Sequence, residues 1–266
     1  MKNILLLVHN DNGQESRLQA ALDVTRAVGG HLVCLDVFIP PMVYGDVYGS
    51  GEAAVLVEED VKRLAAENRA AVESRLTRED VSWNWQETRG NLSQELTRAA
   101  ELADLIVLSS HLSEFDYPDP RRVVSDVVIK SGRPVLAVPD TCKGLAVAGP
   151  AMVAWDGSPP AANALKASVP LLKMASAVTI FEVGEPDSNY PATEAAIWLS
   201  RHDIHAKIFR EDDTDIASAI MDRAQRASVS HIVMGAFGHN RTIEKLLGGV
   251  TRTMLGESEV PLFLAH

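Results

Sequence analysis

Cysteine is scarce in this chain: 266 residues contain two, Cys34 and Cys142. Two distant thiols cannot build a disulfide framework. They read as free thiols of a reducing compartment, which points to the cytoplasm. Cys34, inside the apolar run His31–Phe38, has the setting of a small buried hydrophobe. Basic residues are also in the minority, 25 against 36 acidic, for a net charge of -11. A chain with that balance and no basic cluster is a poor candidate for nucleic acid or an anionic membrane surface. A small phosphorylated ligand stays open, because a local site can be positive on a negative protein. Long apolar runs are missing as well, and no stretch approaches the ~20 residues of a membrane helix. The N-terminal segment Met1–His9 carries one lysine and a short apolar run that Asn10, Asp11 and Asn12 end. It reads as a strand rather than a signal peptide. Neither a Walker lysine motif nor a Gly-x-Ser-x-Gly elbow occurs.

What is present is alternation. Short apolar runs at Ile4–Val8, His31–Phe38, Val81–Glu87, Leu105–Ser109 and Pro134–Val138 are separated by helical patterns at Gln14–Val28, Ala53–Arg78, Leu92–Leu102 and Arg121–Lys130. Strands follow again at Met152–Trp155, Val178–Val183, His205–Phe209, His231–Met234 and Pro261–Leu264, with helices near Ala161–Lys173, Ala192–Ser200, Ile216–Arg226 and Thr242–Leu255. Continuous apolar strands are the mark of a sheet covered on both faces. Val81, Trp83 and Trp85 instead alternate with polar residues, which predicts an edge strand with one wetter face.

The second half repeats the first. Ala103–Ser109 answers Val229–Gly235 at an offset of 126, and Arg133–Val138 answers Val260–Ala265 at 127. The first strands are about 148 apart, so the first half holds roughly 20 extra residues, which include the Pro- and Gly-marked loop Pro40–Gly51. Asp140–Gly149 is the linker. The expectation is two tandem doubly wound α/β domains, 1–145 and 146–266, each a five-stranded parallel sheet with helices on both faces. Their last strands, Pro134–Val138 and Pro261–Leu264, would pair antiparallel and cover two exposed edges.

The segment that bears on function is Met234–Thr251. It leaves the end of a strand with glycines at 235, 238 and 248, and reaches a helical segment. Strand ends at a topological switch point are where open α/β sheets bind ligands. Glycines there let phosphate oxygens approach backbone N–H groups, and a helix N-terminus adds a favourable dipole. The segment resembles that of the universal stress protein family, whose nucleotide-binding members carry Gly-x2-Gly-x9-Gly followed by Ser or Thr. Gly235, Gly238 and Gly248 follow that run, while Gly249 stands where the family has a hydroxyl; Thr251 is a nearby alternative. Met152–Ser158 is similar to the family's first strand, which ends in Asp-Gly-Ser.

The resemblance spans the whole chain as two copies. It implies flavodoxin-like domains of the adenine nucleotide alpha hydrolase-like kind. It also implies ATP, with magnesium, in the second half. Asp156 and the backbone near Val183 would meet adenosine. Gly235, Gly238, Gly248, Gly249, Val250 and Thr251 would meet the phosphates, with His239 and Arg241 as candidate neutralising groups. Two plainer readings stand beside these: Asp156 as a helix cap, and His239 and Arg241 as solvated loop residues.

The first half lacks every glycine of the run: Ser109, Leu112, Arg122 and Val123 stand at the matching positions, among Glu114, Asp116, Pro118 and Pro120. It reads as a degenerate half. His202 and His205 lead into a strand without a third ligand, and Ser109-Ser110-His111 is a strand exit, so neither predicts a metal or a nucleophile. The expected function is a stress-response regulator that binds ATP, with an unknown protein partner and a possible homodimer. Two alternatives remain: a slow ATPase, or a small-molecule sensor or scaffold acting through the first half.

Overall fold

The computed structural model describes residues 1–39, 50–112, 122–184, 190–237 and 249–266. The first half runs β1 (Asn3–Val8), α1 (Gln14–Val28), β2 (His31–Phe38), α2 (Ser50–Leu76), β3 (Ser82–Arg89), α3 (Leu92–Ala99), β4 (Leu105–Ser109), α4 (Arg122–Ser131) and β5 (Val135–Val138). The second runs β6 (Ala151–Ala154), α5 (Pro159–Leu172), β7 (Val178–Val183), α6 (Ala192–Ser200), β8 (Ala206–Glu211), α7 (Ile216–Arg226), β9 (His231–Gly235), α8 (Gly249–Glu257) and β10 (Leu262–Ala265). The two five-stranded halves expected from the apolar periodicity are both present. The predicted helix over Thr242–Leu255 is described only from Gly249 onward; its first part, and the loop 40–49, lie outside the described residues.

Every strand pair within a half is parallel. The order is β3-β2-β1-β4-β5-β10-β9-β6-β7-β8, a single ten-stranded sheet. Its join is the antiparallel pair β5–β10, with Leu136 opposite Phe263. The expected meeting of the two last strands is therefore intramolecular. Each half has the order 3-2-1-4-5, rather than flavodoxin's own 2-1-3-4-5, so its switch point lies between its first and fourth strands. β3 is an edge, as the alternation of its tryptophans predicts, and β8 is the other.

Apolar side chains on the two sheet faces form two cores that run across the join. One holds Leu6, Leu22, Leu136, Phe263, Ala164 and Leu199. The other holds Leu5, Val127, Ile106, Leu262, Met254 and Ile220. The linker is not a loose tether. Leu145 and Val147 are buried, and Asp23 of α1 accepts the Leu145 N–H at 2.9 Å.

Candidate functional site

The C-terminal ends of β7, β6 and β9 lie side by side, since Ala154 pairs with both Phe181 and Met234. The chain leaves β6 through Trp155 and Asp156. Asp156 Oδ1 accepts the Ser158 N–H at 2.9 Å, an Asx turn that redirects the chain into α5. Gly157, at φ 73°, makes that reversal, which a side chain would strain. The cap of α5 is Ser158 rather than Asp156: its hydroxyl accepts the Ala161 N–H at 3.3 Å. Asp156 is exposed, and its Oδ2 has no hydrogen-bond partner among the described residues. Val183 ends β7 beside it, followed by Gly184 at φ 71°.

Gly235 ends β9 against the first turn of α5. A Cβ there would fall 2.8 Å from the Pro160 carbonyl carbon and closer still to the Ala161 nitrogen. Helix packing alone therefore requires glycine at this position, whatever ligand lies nearby. Gly249 is the opposite case. It is the first described residue of α8, and a Cβ there would meet no atom of the described residues within 4 Å. Val250 is half-buried, and Thr251 is buried in the next positions of the same turn. The structure thus brings Asp156, Val183 and Gly235 to the C-terminal end of three neighbouring strands. Gly238, His239, Arg241 and Gly248 lie outside the described residues.

The equivalent end of the first half is built differently. Asp11 makes the same Asx turn, with Oδ1 accepting the Gly13 N–H at 2.8 Å. It is therefore the counterpart of Asp156, displaced in sequence by a longer loop after β1. Here the carboxylate is sealed in. The Arg17 side chain has no exposed surface and pairs with Asp11 at 2.6 Å. Its remaining donors reach the Leu7 carbonyl at 2.7 Å, the His9 carbonyl at 2.7 Å and Ser109 Oγ at 2.9 Å. Ser109 occupies the place of Gly235. A Cβ on Gly13 would overlap Ser109 Oγ and the Asp140 carboxylate. Burial, then the Asp11 charge, push the Asp140 carboxyl up, with Arg17 and His111 opposing.

Sequence reasoning missed this arrangement because an arginine on a helix ordinarily reads as solvated. The one available signal was Asp11-x-Gly13, which matches Asp156-x-Ser158 at an offset of 145. Ser109-Ser110-His111 has a carboxylate nearby in Asp140. Ser109 Oγ nonetheless bonds a guanidinium rather than an imidazole, which is not the geometry of an activated nucleophile. No group of three metal-ligating side chains occurs among the described residues, and none of the described helices is long and apolar enough to cross a membrane.

Two copies of a 3-2-1-4-5 sheet joined edge to edge define a tandem doubly wound α/β protein. No family model matches the sequence and no curated protein matches it closely. Solved structures do match. A universal stress protein from Archaeoglobus fulgidus has a TM-score of 0.76 at 19% identity, over 99% of this chain and 97% of that one. A putative universal stress protein from Pseudomonas aeruginosa gives 0.53 at 15%, over 99% and 92%. A functionally unknown protein from the same species gives 0.56 at 16%, over 99% and 92%. The chain has the fold of these tandem structures from end to end.

Proposed function

We propose that this chain is a universal stress protein that binds one adenine nucleotide, ATP with magnesium, in its second half, and acts as a regulator rather than through dedicated catalysis. The observation that carries the reading is the contrast between the two switch points. The same turn carboxylate is exposed at Asp156, where the ends of β6, β7 and β9 meet, and is sealed by Arg17 at Asp11. In the second half Asp156 would accept hydrogen bonds from the sugar or base, with the Val183 backbone beside it. The N–H groups of Gly249 and Val250 would meet phosphate oxygens with the favourable end of the α8 dipole. Gly238, His239, Arg241 and Gly248 would complete the phosphate loop. Magnesium would neutralise phosphate charge, which matters on a chain of net charge -11. In the first half the Arg17 guanidinium would stand where a ligand's polar groups would lie, and it already holds Asp11 Oδ1, Ser109 Oγ and the Leu7 and His9 carbonyls.

Calorimetric titration of magnesium-ATP into the full chain is expected to fit one site. Asp156→Ala should weaken binding by about tenfold, the scale of one charge-assisted hydrogen bond. Two sites per chain, or no binding by heat or by an orthogonal assay, would overturn the proposal.

A further inference from the structure

The two halves differ at a second place. In the first half, α1 and the 27-residue α2 are closed against each other by polar side chains. Gln14 and Asn68 exchange amide hydrogen bonds at 2.7 and 2.9 Å, and Arg75 reaches Gln19 at 2.6 Å and pairs with Glu15. In the second half α6 has only nine residues. Among the described residues, no side-chain hydrogen bond or ion pair joins it to α5. A cleft of about 620 Å³ opens between the two helices instead. That size is typical of small-molecule sites, which combine apolar walls with a few polar groups.

The cleft is walled by Trp155, Trp198 and Tyr190, with Leu165 and Ile197 beside them. Trp155 is 6% exposed, and its indole N–H is committed to the Tyr190 carbonyl at 3.0 Å. Trp198 is braced by His202, ring centroids 4.2 Å apart. Tyr190 and Ile197 stay 63% and 46% exposed, an uncommon state for large apolar groups lining one concavity. The rim carries Lys166 from α5 and Arg201, the residue that caps α6, against one lining carboxylate, Glu194. Neither cation has an ion-pair partner among the described residues. On an acidic chain this is a local cationic excess over aromatic walls.

We propose that the α5–α6 cleft binds a small planar aromatic anion, its ring held among Trp155, Trp198 and Tyr190 and its carboxylate or sulfonate between Lys166 and Arg201. The cleft shares the Trp155–Ser158 turn with the nucleotide reading, on its other side chains, and does not rest on that reading.

The test follows the indole N–H signals of Trp83, Trp85, Trp155 and Trp198 by NMR while the full chain is titrated with 2-naphthoate. Saturable shifts are expected at Trp155 and Trp198, with Trp83 and Trp85 unmoved. The neutral 2-naphthamide is expected to bind more weakly by about tenfold, the worth of two partly exposed charge contacts. The Lys166→Ala, Arg201→Ala double variant should remove that preference for the acid. Ala162→Trp, which fills the cleft, should abolish both. The proposal is overturned by equal shifts at all four indoles, by no saturation, or by equal affinity for acid and amide.

Discussion

His231 shows how much a single side chain can carry here. It sits at the start of β9 with no exposed surface; Nδ1 lies 3.0 Å from Ser230 Oγ, and Nε2 has no hydrogen-bond partner among the described residues. Burial pulls its pKa from the ordinary 6.5 down to about 4. A depressed folded-state value means that the folded chain resists a proton the unfolded chain accepts. The associated stability is whole above pH 6.5 and is lost as pH falls toward 4, by about 3 kcal/mol at most. Asp36 runs the other way in the same window. Burial and the neighbouring Glu87, partly opposed by Arg69, push its pKa up to about 6. The unfolded state therefore gains on the folded one as pH rises toward 6. The parent curve sums these opposing slopes, so the comparison must be with a variant. His231→Leu should flatten the loss of urea-midpoint stability between pH 6.5 and 4, relative to the parent. Identical slopes would show that the buried imidazole does not control acid stability.

At the scale of elements, the informative comparison is between α1 and α5, which begin at the same place in their halves and end in different chemistry. α5 opens with Pro159 and Pro160 behind a serine cap and lets Gly235 approach its backbone. α1 has no side-chain cap and instead sends Arg17 back to the ends of β1 and β4. A fully buried guanidinium is tolerable only because Asp11 and two carbonyls pair with it. Arg17→Ala should therefore destabilise the chain by about 3–5 kcal/mol, read in a urea melt, because it strands the Asp11 carboxylate. It should leave the nucleotide stoichiometry at one, since Ser109 and Asp140 still crowd the position. If the variant melts with the parent, Arg17 is not what closes the first half.

The elements themselves were legible in the sequence. Ile4–Val8 and Leu105–Ser109 are unbroken apolar runs, and the Trp83/Trp85 alternation marked β3 as an edge. The turn at Asp156 was legible through its Asp-Gly-Ser context, but the matching turn at Asp11 was not, because two extra loop residues hide the register. The open cleft beside α6 was not legible either. It follows from the length of α6 against α2, and nothing in Ala192–Ser200 alone reports what its neighbour leaves uncovered.

For the whole molecule, the decisive feature is the β5–β10 join. Val135–Val138 and Leu262–Ala265 are buried throughout, and each half's core is continuous with the other's across this pair. Splitting the chain would expose two short, flat, wholly apolar edges, the kind of surface that templates pairing with another chain. Leu145 and Val147 make a clean cut still harder, since the linker is packed on the first half rather than hanging free. The separate 146–266 fragment should therefore self-associate rather than persist as a monomer, with β10 of one copy antiparallel to β10 of another, because the β5 edge it replaces has the same character. Sedimentation equilibrium tests this directly. A fragment that sediments as a stable, folded monomer would mean that the halves are independent units sharing a seam, and that the ten-stranded sheet is not what makes the chain a single body.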